Sequence, residues 1–379
     1  MASPLKTPPV RRLSAPVRAS LVLALLYLFL VGVRLLESGI KGIGSDYTDP
    51  LFDSVSSPLA ALFVGILATV LVQSSSVSTA TIVGLVASGV IGVDAAVPMI
   101  MGANIGTTVT NTLVSLTHAR RGEEFRAALT AATMHDFFNL LAVIVLLPLE
   151  LLTGLLSRSA TWIANLLVDG GVGAEFDSPI KAGVAWLESL VGNGIEALFA
   201  NVVLASIVSI FVAIGIIFVA LSFITKNMRL LVANRIERAL NAALARSGLV
   251  GIVIGAIVTI SVQSSSITTS ILIPLVASGV LVVRNAYPIT LGANIGTTIT
   301  ALLAALASGS IDGLTIAFTH TLFNVVAITI IYPWPRIRYV PVLMAERLAD
   351  VAMRHKSLAI AYTFGMFVVL PLVGILVLR

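Results

Sequence analysis

The sequence predicts an all-α, polytopic membrane protein made of two inverted-topology repeats, each holding a re-entrant helical hairpin and broken helices. Of 379 residues, 58% are hydrophobic and 11% charged, about half the charge that a water-soluble surface of this size needs; mean hydropathy is +1.05. Apolar stretches at 19–36, 95–116, 127–149, 202–223, 314–331 and 358–378 approach the ~20 residues that cross a bilayer as a helix. None shows the period-two alternation of a membrane barrel. A polar phrase also recurs inside apolar surroundings, as Val72-Gln73-Ser74-Ser75-Ser76 and Val262-Gln263-Ser264-Ser265-Ser266. At that depth a glutamine and three serines must face protein or a wet cavity, because lipid offers them no partners.

The chain holds no cysteine, which excludes disulfides, thiolate chemistry and cysteine metal sites together. Its net charge of +5 does not point to nucleic acid, since the basic residues sit in short loops between apolar spans, as on a cytoplasmic membrane face. Stretch 19–36 follows a basic segment but lacks a small-residue cleavage site, so it reads as a retained helix and not a signal peptide.

Taken in order, residues 1–18 form a basic, proline-broken tail, expected to be poorly ordered and cytoplasmic. The first transmembrane helix, 19–36, leads outward to an acidic loop with Glu37, Asp46, Asp49 and Asp53. Segments 59–72 and 77–91 are each too short to cross, and hinge at Gln73 to Ser76 as a re-entrant hairpin. Span 95–116 carries Gly102-Ala103-Asn104-Ile105-Gly106-Thr107-Thr108 and returns to a basic loop with Arg120, Arg121 and Arg126; span 127–149 carries His135-Asp136-Phe137-Phe138-Asn139. These make a first transport repeat over 57–150. Residues 151–201 read as an external, partly helical linker. Residues 202–247 read as a span followed by a basic amphipathic helix on the cytoplasmic surface, with Lys226, Arg229, Arg235, Arg238 and Arg246.

The second transport repeat, 248–335, restates the first with a hairpin (248–262 and 267–283), then Gly292-Ala293-Asn294-Ile295-Gly296-Thr297-Thr298 and His320-Thr321-Leu322-Phe323-Asn324. A basic segment and a last span fill 336–379. The basic loops then fall on the inner side. This threading brings the first repeat in from outside and the second from inside, an inverted arrangement. The expected location is a cell membrane, multi-pass, with a cytoplasmic N-terminus.

These residue types suit small ions held by neutral oxygens. Half-helices starting near Ser75 and Ser265 would aim free N–H groups and positive dipole ends at an anion. Serine, threonine, glutamine and asparagine oxygens can also surround a hard cation. Unwound carbonyls at Asn104-Ile105-Gly106 and Asn294-Ile295-Gly296 are expected to add ligands, with glycine supplying the backbone freedom. No Lys or Arg lies in either motif, so a multiply charged anion would need cations to enter with it. Asp136, His135 and His320 would permit protons in place of sodium. Asp136 reads as functional, because intramembrane carboxylates are costly; its structural alternative is a partner for a hydroxyl or for His135. Asn139 and Asn324 could simply join helices, and Ser88 and Ser278 read as packing residues at hairpin ends.

The paired Gln-Ser-Ser-Ser and Gly-Ala-Asn-Ile-Gly-Thr runs, with His135 to Asn139 and Arg284-Asn285-Ala286-Tyr287-Pro288, closely resemble the type II sodium-dependent phosphate cotransporters. The resemblance spans 62–153 and from 248 past Tyr332-Pro333. It implies a symporter that imports inorganic phosphate with sodium across the lipid bilayer, with no cofactor and no enzymatic activity, and the monomer as transport unit. It implies phosphate binding by Gln73, Ser74, Ser75, Ser76, Gln263, Ser264, Ser265 and Ser266. Sodium would be bound by Gln73, Ser75, Asn104, Thr107, Asp136, Gln263, Ser264, Ser265, Asn294, Thr297 and Thr300. Asp136 matches the acidic position of electrogenic members. Animal members differ in a long disulfide-bearing external loop and a long cytoplasmic tail, so regulation through tail partners is not expected here.

Two other readings use the same residues. One keeps the architecture and changes the cargo to another oxyanion or the coupling ion to protons. The other is an intramembrane serine hydrolase using Ser75 or Ser265 with His135 or His320; against it, the serines lack a Gly-x-Ser-x-Gly setting and one nucleophile would need no duplicate.

Overall fold

The computed structural model describes residues 14–44, 57–120, 122–169, 179–244 and 248–378. The expected disorder of the N-terminal tail, most of the acidic loop at 45–56 and the side chains of Arg235, Arg238 and Arg246 lie outside the described residues. Those described are helical, without strands. The helices are α1 (Ala15–Ile43), α2 (Pro58–Val72), α3 (Ser75–Ala87), α4 (Val93–Gly106), α5 (Val109–Leu116), α6 (Gly122–Thr153), α7 (Leu155–Asp169), α8 (Pro179–Glu196) and α9 (Val202–Leu244). After these come α10 (Gly248–Val262), α11 (Ser265–Ala277), α12 (Val283–Ser308), α13 (Ile311–Ile331), α14 (Pro335–Arg338), α15 (Val340–Arg354), α16 (Ser357–Phe364) and α17 (Leu370–Val377), the last two joined by a π-helical turn, Gly365–Val369.

Among the described residues, 6 helical stretches are long and apolar enough to cross a membrane: Ala15–Ile43, Gly122–Thr153, Val202–Leu231, Val283–Ser308, Ile311–Ile331 and Ser357–Val377. The chain is an all-α, multi-spanning membrane protein. The span from Val202 and the basic stretch after it form one unbroken helix of 43 residues. In the linker, α7 packs on α13 and α8 on α1.

Each short helix pair forms as the residue types dictate. Pro58 occupies the first turn of α2, where its missing N–H costs nothing. At the far end Gln73 takes φ 56°, and Gln263 takes φ 58° after α10; these are the only described non-glycine residues with positive φ. Ser74 and Ser264 then cap α3 and α11, their hydroxyls accepting from the N–H groups of Val77 and Ile267 at 3.4 and 3.3 Å. One glutamine thus ends a helix and the next serine starts another.

The two halves interlock. Helix α3 packs against α12, and α11 against α6, so each short helix is seated in the other half. One apolar core runs through both, holding Ile66, Val83, Ile100 and Phe138 with Leu272, Leu291, Ile316 and Phe323.

The glycines of the repeated Gly-Ala-Asn-Ile-Gly run do not unwind the backbone as expected. Asn104 to Gly106 and Asn294 to Gly296 are helical; the only break is at Thr107-Thr108, between α4 and α5, and α12 is continuous through the matching positions. Their role is close approach. A methyl group at Gly102 would lie 2.0 Å from the Leu62 carbonyl oxygen, and one at Gly292 would lie 1.9 Å from that of Ile252. Glycines four apart on one face, Gly102 with Gly106 and Gly292 with Gly296, let α4 press on α2 and α12 on α10, the small-residue packing of membrane helices.

Candidate functional site

The two polar breaks converge. A cavity of about 330 Å³ is lined by Val72, Gln73, Ser74, Ser75, Ser76, Gln263, Ser264, Ser265 and Ser266, and is closed on a third side by α9. All eight residues expected to hold the anion meet there, and none of the lining residues carries a charge. It has room for about ten water-sized volumes, more than one small ion needs.

Two helices, each of 13 residues, start at this cavity. The N–H groups of Val77 and Ser78 are taken by the Ser74 hydroxyl and carbonyl, and those of Ile267 and Thr268 by Ser264. That leaves the N–H groups of Ser75, Ser76, Ser265 and Ser266 as the open donors of the first turns, in the positive field of the helix ends. Each glutamine is fixed the same way. Its amide nitrogen donates to the carbonyl three residues back, Val70 or Ile260. Its amide oxygen accepts from a threonine, Thr110 to Gln73 at 3.2 Å and Thr300 to Gln263 at 3.1 Å.

Other predicted residues lie elsewhere. Asn104 and Asn294 form a buried lattice between the halves: Asn139 Nδ2 donates to the Asn104 carbonyl at 2.8 Å, and Asn294 Nδ2 to Asn139 Oδ1 at 2.8 Å. His135 Nε2 pairs with Asn294 Oδ1, and Asn324 Nδ2 reaches Asn104 Oδ1 at 3.5 Å. Asn139 and Asn324 therefore join helices. Thr107 donates to its own helix at Ala103 O, 2.8 Å, while the Thr297 hydroxyl is buried without a partner.

Asp136 is 3% exposed and stands apart from the cavity. Its Oδ2 accepts from Tyr362 at 3.1 Å and Thr112 at 3.4 Å, and its Oδ1 is buried without a partner. His135, its neighbour in sequence, bonds to Asn294 instead. Neither His135 nor His320 lines the serine cavity, so the serine–histidine pairing of the hydrolase reading is not found there. Ser88 and Ser278 return their hydroxyls to Leu85 O and Pro274 O, as packing residues do.

Sequence reasoning missed Thr110, although it occupies the place in the first repeat that Thr300 holds in the second. It also missed Asn111, whose Oδ1 accepts from Thr269 at 2.8 Å and Ser270 at 3.4 Å. Thr269 also lies within hydrogen-bonding distance of the Ser265 and Ser266 carbonyls, so Asn111 on α5 is tied to the second serine run. The counterpart of Asn111 is Ala301, and no repeat signal marks it.

A larger cavity, about 750 Å³, lies among α4, α6 and α7 and holds Asp94, Glu150 and Arg158. The Glu150 carboxylate accepts from the Leu156 and Ser157 N–H groups at 2.6 and 3.2 Å, so its acid is spent on starting α7. Among the described residues no three His, Cys, Asp or Glu come together.

A family model, Na+/Pi-cotransporter, matches residues 28–150 and 216–340, both of which contain a serine run. The chain belongs to the Na+/Pi-cotransporter family. It is 36% identical to rat sodium-dependent phosphate transport protein 2A over 424 residues, covering 93% of this chain and 66% of the rat protein. It is 32% identical to human sodium-dependent phosphate transport protein 2B over 448 residues, covering 94% of this chain and 64% of the human one. The chain thus spans just under two thirds of the length of these relatives. No solved structure matches.

Proposed function

We propose that this chain is a secondary active symporter that carries inorganic phosphate inward with sodium by alternating access around the cavity between its serine runs. The observation that carries this reading is the convergence of both Gln-Ser-Ser-Ser breaks, with two helix N-termini, on one uncharged cavity. Main-chain N–H groups and hydroxyls there can replace the hydration shell of phosphate. No lysine or arginine lines the cavity, so accompanying cations must supply the counter-charge. The names of the relatives favour sodium and phosphate.

In this reading Gln73, Ser74, Ser75, Ser76, Gln263, Ser264, Ser265 and Ser266 hold phosphate. Sodium is held by oxygens of the same cradles with Thr300, and Asp136 serves a separate cation position at its unpartnered Oδ1. Asp136 then moves net charge with each cycle. Asn104, Asn294, Thr107 and Thr297 act from the shared interface behind the cradles. The α2–α3 and α10–α11 pairs are re-entrant hairpins entering from opposite sides, the N-terminus is cytoplasmic, and the monomer is the transport unit.

The test is uptake of labelled phosphate into proteoliposomes under a sodium gradient, with sulfate and arsenate as competitors. Uptake that needs sodium and is lost in Ser75→Ala and Ser265→Ala supports the reading. Uptake indifferent to sodium, or preferring sulfate, overturns it.

A further inference from the structure

The serine cradles are related by the repeat, but the third wall of their cavity comes from one helix alone. It is made by Phe218, Leu221, Ser222 and Thr225 of α9. No residue of α1, the helix packed along α9, reaches the cavity. The spacing of Phe218, Leu221, Ser222 and Thr225 puts them on one stripe of the helix. The stripe borders the exposed side of the helix: Val219 and Phe223 beside it are 50% and 48% exposed, and Phe218 within it is 45% exposed. Ser222 and Thr225 are hydroxyls in an apolar span that line the cavity together with the two cradles. Neither hydroxyl makes a hydrogen bond within the described protein, whereas those of Ser261 and Thr329 bond to the carbonyl four residues back. Hydroxyls at membrane depth that are not returned to the helix are otherwise costly.

We infer that Ser222 and Thr225 are contact residues for the transported oxyanion and set its affinity from the side that neither repeat covers. This rests on the transport reading above. A tetrahedral anion has four oxygens, and two cradles meeting at one cavity leave some of them facing α9. Donors on that wall complete the shell.

The experiment measures sodium-dependent phosphate uptake by the full chain in proteoliposomes. Ser222→Ala and Thr225→Val are each expected to raise the KM for phosphate about ten- to a hundredfold, the loss of one hydrogen bond to a charged group. Maximal rate and KM for sodium should stay within about twofold, and Ser222→Thr and Thr225→Ser should restore the parent KM. Because the chain has no cysteine, Ser222→Cys gives a single thiol that a water-soluble reagent can probe. Phosphate with sodium should slow its modification about fivefold, the protection expected of a contact residue. Ala197→Cys, at an exposed position between α8 and α9, should be modified at the same rate with and without phosphate. A double variant, Ser222→Ala with Thr225→Val, that keeps the parent KM overturns the inference, as does modification unaffected by phosphate. If the parent transports phosphate and Ser75→Ala does not, such a result defeats only this inference. A parent without sodium-dependent uptake defeats the transport reading and this inference with it.

Discussion

Two glutamines in a left-handed backbone set the geometry of the cavity. Such a conformation costs a non-glycine residue of order 1–3 kcal/mol and persists only where its surroundings impose it. Gln73 and Gln263 are held by bonds of both amide ends. Asparagine tolerates this backbone better than glutamine does but is one methylene too short to reach the threonine. Gln263→Asn is therefore expected to leave thermal stability within about 0.5 kcal/mol while phosphate uptake falls at least about tenfold; equal losses in melting temperature and uptake would contradict this. Asp136→Asn preserves shape and removes charge. It should lower the current carried per phosphate taken up, measured as the ratio of current to flux in the same vesicles; an unchanged ratio would remove Asp136 from the charge-moving step. That the eight cradle residues meet at one polar cavity was legible in the sequence, because four consecutive polar side chains in an apolar run can turn only toward protein or a wet cavity. The role of Asn111 was not, since its partners come from a helix distant in sequence and its repeat counterpart is alanine.

At the scale of elements, close helix contact and not backbone freedom explains the repeated glycines. Gly292→Ala would drive a methyl group against the Ile252 carbonyl oxygen, and separating α10 from α12 should cost about 3 kcal/mol or more, seen as loss of a folded, monodisperse protein in detergent. Gly215→Ala, in α9 with open space around it, should be neutral or stabilising by up to about 1 kcal/mol, measured as the shift in melting temperature in detergent. The two polar breaks at the serine runs were readable from apolar length; helix lengths were not, since the expected span 95–116 is divided at Thr107-Thr108 and those at 19–36, 127–149 and 202–223 extend further. The distinction between a glycine hinge and a glycine contact was not, because both present the same letter and only the neighbouring helix tells them apart.

Across the whole molecule, the halves are each other's core. Because α3 is seated on α12 and α11 on α6, the first half expressed alone should lack a cooperative unfolding transition. Two halves separated between residues 171 and 178 and co-expressed should purify together and recover sodium-dependent phosphate uptake. Failure of the halves to associate would count against the interlocked core. The duplication was plain in the sequence; that the copies pack by exchanging helices was not, since internal similarity says nothing about which copy a helix packs against.

The link from Asn111 to Thr269 and Ser270 has no twin, because Ala301 offers no acceptor at the matching place. If the repeats trade environments as a carrier turns over, a perfectly mirrored chain would rest equally often facing either compartment. A contact of about 1 kcal/mol present in one copy alone tilts that balance about fivefold toward one resting pose. Asn111→Ala should level it, read as equal labelling of a cavity thiol from either side of the membrane. In this protein the preferred direction of an empty carrier would trace to a single amide, Asn111, where the other repeat has Ala301.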